Sequence, residues 1–324
     1  MSAATAAAAP AAHAIGIDVG GTKIEAVLLD ADGSLLWRHR VPSPADRYED
    51  MLAAIVGLVE AGRRALQGQP EDIGHHAPAS IGLGTPGSAT PSGLIKNANT
   101  TCLNGRPLQA DLAARLGQPV RLANDANCLA LSEAVDGAGA GAEVVFAAIL
   151  GTGTGAGIAV RQRVLTGPNG VAGEWGHNPL PWREPQDAWI DCYCGQAGCI
   201  ETLISGPGLA LDHQRHGGSP WSAEAIAAQA ALGEAACLAT LARWQQRLAR
   251  ALAGVINLLD PDVIVLGGGL SKIASTYTAV PALWGQWVVS GGLKDPVRTR
   301  LLPALHGDAS GVRGAAWLWR GSVG

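Results

Sequence analysis

The chain opens twice in the same way, and this repetition limits its fold more than any other feature. Residues 14–19 read as a buried strand, Gly20-Gly21-Thr22-Lys23 as a tight turn, and residues 24–29 as the returning strand. Much later, residues 144–150 are again a strand, Gly151-Thr152-Gly153-Thr154-Gly155 a turn, and residues 156–161 its partner. In the first unit, residues 35–40 extend the hairpin to a meander through Asp30-Ala31-Asp32-Gly33. Short buried strands at 79–84, 119–123 and 263–266 follow helical or loop stretches, an α/β signature. Two halves built alike are a duplication of architecture and not a solenoid repeat. A chain of 324 residues also exceeds the usual size of one core, so two lobes are expected.

Helical periodicity places further elements. Tyr48, Met51, Leu52, Ile55, Leu58, Val59 and Gly62 share one face, and Asp46 with Glu49 resembles a capping box ahead of them. Leu238, Leu241, Trp244, Leu248, Leu252, Val255 and Leu259 line a long helix that stops before Pro261. Residues 311–320 predict a terminal helix able to cross back onto the first lobe. The expected division is a disordered Ala-rich tail at 1–13, then a small α/β lobe from 14–123 plus 311–324. A large α/β lobe, 124–310, carries a metal-binding loop at 174–201.

Composition narrows the class. Hydrophobic residues are 48% and charged residues 15%, which suits a well-buried globular protein. The net charge is −4 with no basic cluster, which argues against nucleic acid as a partner. No apolar run approaches membrane-spanning length. The first residues lack the basic and bulky apolar regions of a signal peptide. A cytoplasmic location is expected, because thiolates need a reducing compartment to hold a metal.

Those thiolates stand in Gly173-Glu174-Trp175-Gly176-His177 and Cys192-Tyr193-Cys194-Gly195-Gln196-Ala197-Gly198-Cys199-Ile200-Glu201. One imidazole and three thiolates can close a tetrahedral Zn²⁺ site from His177, Cys192, Cys194 and Cys199; the bland alternative is buried cysteines beside a surface histidine. Asp18, Gly20, Gly21, Thr22 and Lys23 combine an acid at a strand end with a glycine turn. Its amides, the Thr22 hydroxyl and Lys23 could cradle phosphate and Asp18 could hold Mg²⁺, although an ordinary β-turn would look the same. Gly151, Thr152, Gly153, Thr154 and Gly155 offer the same chemistry from the other lobe. Gly267, Gly268 and Gly269, after a buried strand, would allow close approach of an adenosine. Asn124-Asp125-Ala126-Asn127 begins a helix, so Asp125 is either a cap or a general base facing the cleft, with Asn124 capping in the second case. A dinucleotide oxidoreductase does not fit, since no glycine cluster opens a helix within a βαβ unit.

Taken together, these motifs resemble the ROK family of bacterial sugar kinases and sugar-responsive repressors, from about residue 15 to 319. The resemblance implies a duplicated actin/hexokinase-like (ribonuclease H-like) two-lobe α/β fold with an interlobe cleft. It implies ATP-dependent phosphorylation of a hexose with Mg²⁺ and a structural Zn²⁺. Asp125 matches the catalytic base; Asn124, Glu174, His177 and Glu201 match positions that hold sugar hydroxyls. His177, Cys192, Cys194 and Cys199 match the zinc ligands. Asn104 is a further candidate for sugar binding: the loop before it abuts the sugar in the family, and Cys102 stands there where relatives often carry Trp. The stretch from Glu174 to Trp182 and the tail His306-Gly307-Asp308 look most like the fructokinase/mannokinase branch, implying D-fructose, with glucose or an N-acetylhexosamine as alternatives. A homodimer is also implied. The rival reading is a sugar-sensing repressor, which would carry a winged-helix segment ahead of Asp18, where seventeen residues stand.

Overall fold

In the computed structural model, which describes residues 12–68, 79–289 and 295–320, the repeated opening becomes two five-stranded sheets of identical topology. The first half contributes β1 (His13–Val19), β2 (Lys23–Asp30), β3 (Leu35–Pro42), α1 (Tyr48–Gln67) and β4 (Ser80–Thr85). A small hairpin, β5 (Ser88–Ala89) and β6 (Ile95–Lys96), precedes α2 (Leu108–Leu116) and β7 (Val120–Asn124). The second half contributes α3 (Asp125–Val135), β8 (Val144–Leu150), β9 (Thr154–Val160), β10 (Arg163–Val164), α4 (Glu201–Ile204), α5 (Gly206–Arg215) and α6 (Ala223–Ala231). It closes with α7 (Ala235–Leu259), β11 (Val263–Gly267), α8 (Thr276–Leu283), β12 (Arg300–Pro303) and α9 (Ser310–Trp317).

The sheets run β3-β2-β1-β4-β7 and β10-β9-β8-β11-β12. In each, a meander of antiparallel strands is followed by two parallel additions: β1 pairs β4 and β4 pairs β7, as β8 pairs β11 and β11 pairs β12. Register sets Ile17 beside Ala26 and Leu83 in one sheet, and Val265 beside Ala147 and Leu302 in the other.

Alternation along β1 explains why this strand is central. Ile15, Ile17 and Val19 enter the core shared with Met51, Leu52, Ile55 and Val59 of α1, while Ala14 joins Val312 and Ala316 of α9 on the opposite face. Each fully buried aliphatic chain there contributes about 1.5–3 kcal/mol. The expected apolar face of α1 is buried throughout. Its expected capping box is not formed: Arg47 is the N-cap residue without a side-chain bond, and Glu49 instead pairs with Arg115 across to α2. In α7 the stripe is shifted at its start. Leu238 is exposed, and Cys237 and Leu241 turn inward, because Glu234 caps Cys237 N–H and sets the helix phase there. The strand begins at His13, one residue inside the expected tail; the rest of that tail, up to residue 11, lies outside the described residues.

Between the sheets α9 and α3 lie against one another. A Cβ at Gly82 of β4 would meet Ala315 O of α9 at 1.8 Å, and one at Gly157 of β9 would meet Ala126 O of α3 at 2.2 Å. Where the helices cross, a Cβ at Gly314 would meet Cys128 O at 1.7 Å. The terminal helix therefore returns to the first sheet, as its sequence suggested, and brings α3 with it. Among the described residues no single helix is long and apolar enough to cross a membrane.

Candidate active site

β7 ends at Asn124 and α3 begins at Asp125, and the two neighbours divide the work of a helix start. Asn124 keeps an extended backbone, and its Oδ1 accepts from Asn127 N–H at 2.8 Å, so Asn124 is the cap. The Asp125 side chain is released for other use; its Oδ1 accepts from the adjacent Ala126 N–H at 2.8 Å. Solvent reaches Asp125, yet protein surrounds it, as at the floor of a crevice. That surrounding mass pushes its carboxyl above the ordinary range against the pull of the Ala126 and Asp125 amides, and the Glu174 charge adds to the rise.

Asp18, next to last in β1, stands close enough to Asp125 for the two charges to interact. Its carboxyl is raised to about 6, first by burial, then by the Asp125 and Glu25 charges, with Lys23 opposing. Cβ atoms at Gly84 and Gly311 would lie 3.5 and 3.4 Å from its oxygens, so bare backbone flanks the group. Beyond it, Gly20 N–H donates to Lys23 O at 3.0 Å and closes the expected turn, leaving Gly21, Thr22 and Lys23 exposed. The crowded acids and exposed donors suit a cation-bound polyphosphate.

The second turn is shorter than expected. Thr154 and Gly155 already belong to β9, so residues 151–153 alone make the bend. Thr154 N–H donates to Glu201 Oε2 at 2.7 Å, which ties this turn to the first residue of α4. The glycines after β11 also differ from expectation. A Cβ at Gly267 would meet Leu129 Cδ2 at 2.9 Å, and Gly268, at φ +81°, would meet Leu150 O at 2.5 Å. Their bareness serves close packing on the protein's own strand; only Gly269 of the three has open space around it. Asn104 is likewise occupied: its Oδ1 accepts from Ala98 N–H at 2.9 Å and its Nδ2 donates to Ala98 O at 3.0 Å, which locks the loop around Thr100 and Cys102.

The metal-ligand candidates converge. Ligand atoms of His177, Cys192, Cys194 and Cys199 all lie within 4.8 Å of one another. Cys192 Sγ is 3.6 Å from His177 Nδ1, and Cys194 Sγ is 3.6 Å from Cys199 Sγ. A tetrahedral zinc with bonds of about 2.0–2.3 Å places its ligands roughly 3.6–3.8 Å apart, so the donor set fits the ion. Burial, then Cys194 and Cys192, push the Cys199 thiol up to about 12, a crowding that a cation would relieve. The hairpin is held by Cys192 N–H donating to Gln196 O at 2.8 Å and Gly195 N–H to Cys192 O at 3.0 Å. Nearby Ala156 N–H donates to Gly173 O at 3.1 Å, and Trp175 meets Phe146 edge-on at 5.4 Å, which docks Glu174 and His177 beside β9.

Two supports escaped the sequence reading. Arg247 and Arg250 of α7 are almost fully buried and grip Asp187 through bonds of 2.7 Å each. Burial alone would raise the Asp187 carboxyl, but hydrogen bonds from Arg250 and Arg247 outweigh it and hold the group below its ordinary range. Arg250 also donates to Trp182 O at 2.7 Å, and Arg183 donates to Asp187 O and Ala188 O. The strand of chain leading into the cysteines is thereby fastened to α7. The signal was two arginines on the face of an otherwise apolar helix stripe. The second support is Asn127, whose buried Oδ1 has no hydrogen-bond partner among the described residues. It lines a cavity of about 90 Å³ with Asn124, Glu174, Ala89 and Thr166. A larger cavity, about 500 Å³, lies at the starting ends of β8, β11 and β12 between Asp260, Asp262, Arg298 and Arg300. The carboxylates are at the other end of the strands, where ligands of α/β sheets bind.

Comparison with known proteins identifies the family and the fold. The profile of the ROK family matches residues 14–322. An N-acetyl-D-glucosamine kinase of Pectobacterium atrosepticum is 39% identical over 309 residues, covering 94% of this chain and 97% of its own. The ROK hexokinase of Thermus thermophilus superimposes with a TM-score of 0.80 at 30% identity, over 94% of this chain and 97% of that one. A ROK glucokinase of Streptomyces griseus, solved with glucose and AMPPNP, gives a TM-score of 0.70 at 28% identity, over 94% and 98%. With two like sheets, a freed aspartate at the crevice and these relatives, the chain belongs to the ROK family and is an ATP-dependent sugar kinase of the two-lobe, hexokinase-like fold.

Proposed function

We propose that the protein phosphorylates N-acetyl-D-glucosamine at its primary hydroxyl, consuming ATP with Mg²⁺. The chemistry rests on one observation, the division of labour between Asn124 and Asp125, which leaves a raised carboxyl at the crevice floor. The substrate choice rests on relatives at 39% identity that are N-acetyl-D-glucosamine kinases. They favour this alternative over the D-fructose that the fructokinase-like motifs suggested.

In this reading Asp125 accepts the hydroxyl proton as the sugar oxygen bonds to the γ-phosphorus and the bond to the β-phosphate oxygen breaks. Asn124, Glu174, His177 and Glu201 orient the sugar, while Asn104 acts by fixing its own loop. Lys23, Thr22 and the amides of the turns at 20–23 and 151–153 face the phosphates, and Gly269 lies on the adenosine side. Asp18 would hold the Mg²⁺, which when bound neutralises phosphate charge. A zinc on His177, Cys192, Cys194 and Cys199 would have no open position, so its part is to stiffen the loop that carries Glu174 and Glu201.

We take the lobes to be 14–123 with 311–324, and 124–310. We also take the protein to act as a homodimer in the cytoplasm on small molecules and not on nucleic acid. The deciding experiment compares kcat/KM for ATP consumption with N-acetyl-D-glucosamine, N-acetyl-D-mannosamine, glucose, mannose and fructose. The expected result is the highest value for N-acetyl-D-glucosamine; preference for fructose would return the first reading.

A further inference from the structure

Tyr193 stands between Cys192 and Cys194 and is 84% exposed, yet its hydroxyl lies 3.1 Å from His177 Nε2. The two rings meet edge to face, with centroids 5.2 Å apart and planes at 87°. His177 presents Nδ1 to the Cys192 sulfur, so a metal on that side leaves the imidazole proton on Nε2, which then donates. One N–H makes one strong hydrogen bond, and with the metal bound the Tyr193 oxygen would be its acceptor.

We infer that Tyr193 is a built-in competitor for the sugar: its hydroxyl holds the His177 N–H until a sugar hydroxyl displaces it. This rests on the reading of His177 as a sugar contact. The displacement is easy, because so exposed a ring gives up little buried surface when it swings away. The backbone on either side stays pinned by the hairpin bonds of Cys192 and Gly195, so a χ1 rotation moves the phenol without moving the metal ligands. Tyr193 thereby sets an upper limit on sugar affinity and favours sugars whose hydroxyl is the better acceptor at that point.

Tyr193→Phe keeps the ring and removes the oxygen. The expected result is a KM for N-acetyl-D-glucosamine lowered about two- to tenfold, with the KM for ATP and the zinc content unchanged. A sugar KM that stays or rises overturns the proposal. A second readout needs no catalysis. With ring-labelled tyrosine, the chain shows three signals, and Tyr193→Phe identifies the one of interest. N-acetyl-D-glucosamine should move the Tyr193 resonance while Tyr48 and Tyr277, bonded to Asp111 and Ser271 O, stay in place. A stationary Tyr193 signal at saturating sugar also overturns it. Glu174→Gln in the same assay tests the underlying reading. If it leaves the sugar KM unchanged, the placement of the sugar fails, and not Tyr193 alone.

Discussion

Glu201 receives the backbone N–H of Thr154 at 2.7 Å, so one carboxylate joins the second glycine turn to the residue that follows the cysteine hairpin. A Cβ at Gly153 would lie 2.8 Å from the same oxygen, which shows how closely the group is seated on that turn. Glu201→Ala should therefore weaken both ligands. About a tenfold rise in sugar KM is expected, together with weaker AMPPNP binding measured calorimetrically without sugar. Unchanged AMPPNP affinity would mean the turn keeps its shape unaided.

Asp125→Asn preserves volume and the contact with Ala126 N–H while removing the proton acceptor. A fall in kcat of about 10²–10⁴ is expected, with both KM values changed by less than threefold. Steady-state kinetics at saturating ATP would show it, and retained turnover would dismiss the base.

Cys192 and Cys199 are buried, whereas Cys194 is exposed, so the cluster opens to solvent on one side. Cys199→Ser should abolish stoichiometric zinc and lower Tm. Sugar KM should rise more than ATP KM does, because Glu174 and Glu201 both lean on the loop, whereas of the two phosphate turns only that at 151–153 is tied to it, through Glu201. Metal analysis with paired KM measurements separates the cases.

The raised carboxyl of Asp18 makes a signed forecast for protein free of divalent cations. Its folded value of about 6 exceeds the 3.8 of the unfolded chain. The group's stabilising contribution is thus present below pH about 4 and lost as pH rises through about 6. Asp18→Asn should gain on the native protein across that window by about 3 kcal/mol at most and then level off. Urea unfolding at several pH values would reveal it. The Asp125 charge contributes to the rise, so the midpoint also depends on whether Asp125 is ionised.

Much of this was legible because its causes are local. The strands themselves, the turn at 20–23, the α1 face and the cysteine spacing depend on residues adjacent in sequence, and each was found, with strand ends displaced by one or two residues. The departures involve partners far apart in the chain. Glu49 left its capping role for Arg115, sixty-six residues away. Gly267 and Gly268 proved to be spacers against Leu129 and Leu150, which no local pattern signals. The grip of Arg247 and Arg250 on Asp187 spans about sixty residues, and two charges on an apolar stripe read as noise until their acceptor is seen. Sugar preference was the weakest inference, since a few hydroxyl contacts decide it and shared motifs do not.

The crossing at Gly314 and Cys128 has a mechanical meaning. Backbones in such intimate contact can roll but not slide, so a lobe that turns there behaves like a lever on a fulcrum. Asp125 stands three residues before Cys128 on α3, so the carboxylate sits beside that fulcrum.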